Sequence, residues 1–123
     1  MDIINLLGIV QETVTKEKVV LSMEVREEHC QPFGIMHGGV SAVLAETAAS
    51  LGALENAEEG RIPVGMDIHS RHVKSVAKGR LTVEAEPVSI GKTVQVWEVT
   101  ITDDRERVIS HSTCSLMMIE RKG

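Results

Sequence analysis

The chain has 123 residues, of which 42% are hydrophobic and 25% charged, with a formal net charge of −5. That is one domain, residues 1–123, able to bury about two-thirds of its unfolded surface without disulfides or metals, and no apolar run approaches the ~20 residues of a membrane span. An acidic total with 2% aromatics (Phe33 and Trp97) offers neither a phosphate-tracking field nor a base-stacking platform, which argues against nucleic acid as a partner.

The opening MDIINLLGIVQETV has no basic residues ahead of its apolar ones and no small-residue cleavage site, so no secretory leader is expected. Cys30 and Cys114 are then expected as free thiols in the cytoplasm. Residues 3–7 (IINLL) fit either a short helix or an apolar arm. From Ile9 the pattern is strand-like: IVQETVT and VVLSMEV flank Lys16-Glu17-Lys18, which predicts a hairpin with one wet face and one buried face. After REEHCQPFGIMHGG the period changes, and Val40–Leu54 predicts a helix. Val40, Val43, Leu44, Thr47, Ala48 and Leu51 fall on one stripe, while Ala42, Ala45, Ala49 and Ala53 form a small-residue face nearly opposite. Such a helix is expected to be covered on both sides. Everything after Gly60 predicts strands: residues 62–76, 79–88, 92–102 and 108–120, punctuated by Gly79, Gly91 and Asp103-Asp104. The order predicts an α+β fold in which an antiparallel sheet wraps one long helix.

Glu46 is the anomaly on that helix, the one charged side chain between His37 and Leu54. Carboxylates are rarely buried without a partner, so it is either paired with a cation at a sheet edge or kept for chemistry. Ser50 follows at i+4 and can reach the same side. At the helix entrance, His37-Gly38-Gly39 offers unpaired amides and the positive end of the dipole, which suit a carbonyl oxygen gaining charge. The alternative is a tight turn. Gln31 and His37 are polar residues of an apolar loop: each either donates to that oxygen or satisfies the loop, His37 as a helix cap. Arg71, Lys74, Lys78 and Arg80, with Lys92 on a later loop, either steer an anionic ligand or decorate solvent-facing strands. His69 and His72 stand three apart on a strand, hence on opposite faces, and no metal site is expected.

The string QPFGIMHGGVSAVLAE resembles the signature of hotdog-fold acyl-CoA thioesterases, in particular the 4-hydroxybenzoyl-CoA thioesterases of the Arthrobacter type and the related phenylacetyl-CoA and 1,4-dihydroxy-2-naphthoyl-CoA thioesterases. Three spacings carry the resemblance: a Gln six before the HGG, a Glu nine after its His, and a hydroxyl four after that Glu. IHSRHVKS and GKTVQVWEV also look like family segments, and the similarity extends from Leu6 to Ile119. It implies a thioester carbonyl polarised by Gly38 with Gln31, and Glu46 as nucleophile or general base. Ser50 would hold the carboxylate or the water, and His37 would orient the loop. It implies contacts to coenzyme A from Gly39, His72, Lys74, Ser75, Gly91, Lys92 and Thr93. No cofactor is implied, coenzyme A being part of the substrate, and the family builds its sites at dimer interfaces, with dimers paired into tetramers.

If Gly38 and Glu46 act on one thioester carbon, helix geometry demands a second chain. Gly38 and Glu46 are eight residues apart, about 12 Å along the axis, whereas groups acting on one carbon must approach to about 3 Å. Both act only if they come from two chains whose helices run antiparallel about a two-fold axis. Two rivals remain: an enoyl-thioester hydratase or dehydratase of the same fold, whose motif the HGG…Glu spacing does not match, and a non-catalytic acyl-CoA-binding module. Phe33, Met36, Met66 and Trp97 are the expected walls of an acyl pocket.

Overall fold

The computed structural model describes residues 2–121. Residues 3–7 settle as a short helix, α1 (Ile3–Leu7), because Asp2 caps it by accepting from the Asn5 amide at 2.9 Å and Gly8 ends it at φ +76°. Then come β1 (Ile9–Val14), β2 (Val19–Glu24), a 3-10 turn (Glu27–His29), the long helix α2 (Gly38–Asn56), and β3 (Arg61–His72), β4 (Arg80–Ile90), β5 (Val94–Thr102) and β6 (Val108–Glu120). The strands form one antiparallel sheet in the order β1-β2-β4-β5-β6-β3, and α2 packs on its inner face. No helix of the described residues is long and apolar enough to cross a membrane.

Period-2 alternation decides what meets the helix. Val19, Leu21 and Met23, Leu81, Val83 and Ala85, Trp97, Val99 and Ile101, and Cys114, Leu116 and Met118 are all buried. The small-residue side faces the sheet: Ala45, Ala48, Ala49, Gly52 and Ala53 are buried along with Leu44 and Ser41. Val40, Val43, Thr47 and Leu51 are only half-buried, so within one chain the helix is covered on one side rather than two. Trp97 is the reason. Its fully buried indole lies directly beneath Gly52 and is pinned by donating to Gln95 Oε1 at 2.9 Å, while Gln95 donates to the Ala53 carbonyl at 3.1 Å. Only a helix of small residues can approach so closely. Trp97 therefore belongs to the core and is no acyl wall; Phe33 (71% exposed) and Met66 (51%) are exposed within one chain.

A Cβ at position 52 would overlap the edge of the Trp97 six-membered ring. Replacing a helical glycine gains about 1 kcal/mol of propensity, but overpacking a fixed core costs about 1–3 kcal/mol, and the indole has no free direction of retreat. Gly52→Ala is expected to lower the urea midpoint with an unchanged m-value.

The third predicted strand stops early. It was expected to reach Val76, but β3 ends at His72 because the Val73 and Lys74 amides both turn to the Ile109 carbonyl, at 2.7 and 3.2 Å, and the Val76 carbonyl accepts from Met36 at 2.8 Å. The segment after β3 thus leaves the sheet and lies against the loop that precedes α2.

Candidate active site

The α2 entrance is built by its cap. His37 Nδ1 accepts from the Gly39 amide at 2.7 Å, and the His37 carbonyl accepts from Val40 at 2.9 Å. The Gly38 amide has no acceptor among the described residues. His37 is thus a helix cap, and the tautomer that accepts at Nδ1 carries its proton on Nε2. The Gly38 backbone lies close to His72, whose Nε2 stands 3.0 Å from where a Cβ would project. A cavity of about 270 Å3 opens here, and Gln31, Gly38, His72, Lys74 and Ser75 line it together with Met36 and Ser41. Five of the expected site residues are therefore gathered at the head of the helix.

Glu46 and Ser50 lie elsewhere. They lie two turns and three turns along α2, on its flank beside the edge strand β3, and border separate cavities in which Gly38 and Gln31 take no part. Glu46 is exposed within one chain, not buried as the helix composition suggested. It has no ion-pair or hydrogen-bond partner among the described residues, and no hydrogen bond joins it to Ser50. Its carboxyl carbon rests 3.1 Å from the place a Gly65 Cβ would take, so a glycine at the β3 bulge makes room for it.

The third group is not brought in. Gly91, Lys92 and Thr93 form the β4–β5 turn, closed by the Gly91 amide on the Val94 carbonyl at 2.9 Å. Lys92 lines a cavity with Glu58, Glu59, Arg61, Glu120 and Arg121, at the opposite end of the helix from Gly38. Of the basic cluster, Arg80 is spent on Glu12, Glu24 and Ser22 Oγ, and Arg71 sits opposite His111 in the β3–β6 ladder; only Lys74 reaches the Gly38 cavity. His69 and His72 lie on opposite faces of β3, as their spacing required.

Two residues escaped the sequence reading. Ser41 is 2% exposed and lines the Gly38 cavity; one turn inside an apolar helix, it carries no local signal. Asp67, just past the bulge, lies close enough to act on Cys114 along with Glu46. Burial foremost, then the charges of Glu46 and Asp67, push the Cys114 thiol up to about 11. It stays protonated and offers no nucleophile. In the folded chain at pH 8, alkylation followed by mass spectrometry is expected to label half-buried Cys30 and spare Cys114. The sign of the linkage follows: the raised thiol favours folding fully below its ordinary value of 9.0, and that contribution is lost as pH climbs from there towards about 11, because the unfolded chain ionises first. Urea midpoints at pH 8 and 10.5 check this.

The chain is similar to known proteins in sequence and fold. The family model described as Thioesterase superfamily matches residues 33–110. The chain is 43% identical over 116 residues to the 1,4-dihydroxy-2-naphthoyl-CoA hydrolase of Listeria monocytogenes, covering 94% of each. It is 35% identical over 101 residues to the proofreading thioesterase EntH of Klebsiella pneumoniae, covering 82% of this chain and 74% of that one. The crystal structure of a thioesterase from Haemophilus influenzae superposes with a TM-score of 0.90 at 35% identity, over 95% of this chain and 82% of its own.

Proposed function

The chain belongs to the thioesterase superfamily, and on that premise we propose that it hydrolyses an acyl-CoA, aryl or medium-chain, in a site shared by two copies. The observation that carries this reading is Glu46, a carboxylate with no cation or donor among the described residues and given room by Gly65. Glu46 acts as general base towards water or as nucleophile. The thioester oxygen lies on the Gly38 amide and the Gln31 side chain of the second copy, Ser50 steadies the carboxylate or the water, and His37 holds the entrance in shape. Removing one such oxyanion donor costs roughly 3–4 kcal/mol in comparable sites, and general-base action contributes about 10²–10⁴-fold. Water supplies the other reactant, so the reaction as proposed uses no cofactor. Gly39, His72, Lys74 and Ser75 take the pantetheine side. The Gly91–Thr93 turn joins them only as a contribution from another chain, given its place at the far end of the helix.

The edge of the sheet supports the pairing. β3 is an edge strand of 12 residues whose second side has no strand partner among the described residues, and an open edge that long is a template for another strand. If His72 of one copy stands opposite the Gly65–Met66 step of the other, the two-fold axis passes beside Ile68 and His69. Each Gly38 entrance then faces the other copy's Glu46. Pairing of dimers into tetramers is part of the same proposal. The two free cysteines support a reducing, cytoplasmic setting.

A thiol-release assay over aryl-CoA, aliphatic acyl-CoA and acyl-carrier-protein thioesters tests the reading. Release from the CoA series is expected. Hydration of an enoyl-CoA without thiol, or tight binding with no turnover across the panel, would replace it with the hydratase or the binding module.

A further inference from the structure

The flank of α2 beside β3 carries two cavities, of about 280 and 240 Å3, that share Glu46, Thr47 and Ile3. Ile3 belongs to α1, so a residue near the start of the chain stands beside the carboxylate in the middle of the long helix. The larger cavity continues towards the C-terminal end of α2 between Ile4, Leu51, Leu54 and Pro63. Its walls are apolar except for the Thr47 and Ser50 hydroxyls at the Glu46 end. Ile3 is 49% exposed and Leu54 46% within one chain. The smaller cavity runs the other way, past Val43 to Ile68, on the side where a second copy would approach.

The position of α1 is fixed from the loop side. His29 is 1% exposed; its Nδ1 accepts from the Arg26 amide at 2.9 Å, so its Nε2 donates, to the Leu7 carbonyl at 3.0 Å. Arg26 donates to the Leu6 carbonyl at 2.8 Å. Two backbone carbonyls at the end of the helix are thereby tied down, and Ile3 stands over α2 on an anchored element.

We propose that Ile3 is a specificity-determining residue: its side chain is the outer wall of a trough that starts at Glu46, runs to Leu54, and receives the acyl group of the substrate. The inference rests on the assignment of Glu46 above. With the thioester carbon at Glu46 and the pantetheine leaving past the second copy's Gly38, the acyl group must extend in the remaining direction, which is the apolar one. From Glu46 to Leu54 is about 12 Å of helix, enough for a bicyclic ring or a medium chain. An acetyl group stays at the Glu46 end and fills none of the trough towards Leu54.

The test is kcat/KM for 2-naphthoyl-CoA and for acetyl-CoA, measured on the intact chain and on Ile3→Trp and Ile3→Ala. Ile3→Trp is expected to lower the naphthoyl-to-acetyl ratio about tenfold or more by filling the trough, the scale on which hydrophobic pockets discriminate by size. Ile3→Ala is expected to raise kcat/KM for a bulkier aryl thioester, 2-anthroyl-CoA measured alongside, relative to acetyl-CoA. A merely structural role for α1 would depress both substrates together, so active variants with an unmoved ratio overturn the proposal. Absence of hydrolysis by the unaltered chain overturns it together with the reading of Glu46, which keeps the two failures distinct.

Discussion

Glu46→Ala and Glu46→Gln are expected to lower kcat by roughly 10²–10⁴-fold, the range of a positioned general base, or further if the carboxylate forms a covalent intermediate. KM should change little, since the side chain acts on the water or the carbonyl carbon rather than on the bulk of coenzyme A. The fold should survive. Glu46 is exposed within the chain and has no described partner, so its removal strands no opposite charge and empties no core volume. Glu46→Gln is the sharper variant because it keeps the shape against Gly65. Single turnover in H₂¹⁸O separates the two roles. A nucleophile breaks the C–S bond, releases thiolate and leaves a mixed anhydride, and water attacking that anhydride at the Glu46 carbonyl leaves ¹⁸O in the side chain. A general base leaves none. Full activity in Glu46→Gln, by thiol release with an unaltered urea midpoint, would remove both.

Legibility in the sequence followed the range of the interaction. Strands and turns were readable because alternation and Gly79, Gly91 and Asp103-Asp104 are local signals. The helix was readable too, down to its His37-Gly38-Gly39 entrance. Which side meets the sheet was not: a bulky stripe and an alanine face stand nearly opposite, and only Trp97, 45 residues beyond Gly52, explains why the small residues turn inward. The end of β3 at His72 was hidden for the same reason, because the Ile109 carbonyl that captures the Val73 and Lys74 amides belongs to β6. At the site, the spacing of Gln31, His37 and Glu46 singled out the loop and the helix, and Gln31 and Gly38 line a different cavity from Glu46 within one chain. Two things stayed hidden. The burial of His29 depends on the carbonyl of Leu7, and the place of Ile3 beside Glu46 depends on how the sheet curls; neither has a periodic signature.

Mixing two inactive variants is expected to restore activity. Consider Glu46→Ala in one population and Gln31→Ala in another, each suppressed because every site lacks either its carboxylate or its side-chain donor, a loss of about 10²–10³-fold for the latter. If a site takes Glu46 from one chain and Gln31 from the other, a mixed pair concentrates both defects in one site and leaves its second site intact. Random exchange of two-fold pairs then returns about a quarter of the unaltered activity, a large gain over either parent. If one chain supplied both groups, no combination would contain an intact site and the mixture would stay at the parental level. The separation of the two groups into different cavities on α2 favours the first outcome. Exchange has to be made to occur, by co-expression or by refolding the mixture from urea, and the same treatment of each parent alone gives the baseline. Recovery after mixing, absent from both baselines, would place catalysis between chains, and its absence in demonstrably mixed dimers would return Glu46 and Gly38 to separate duties.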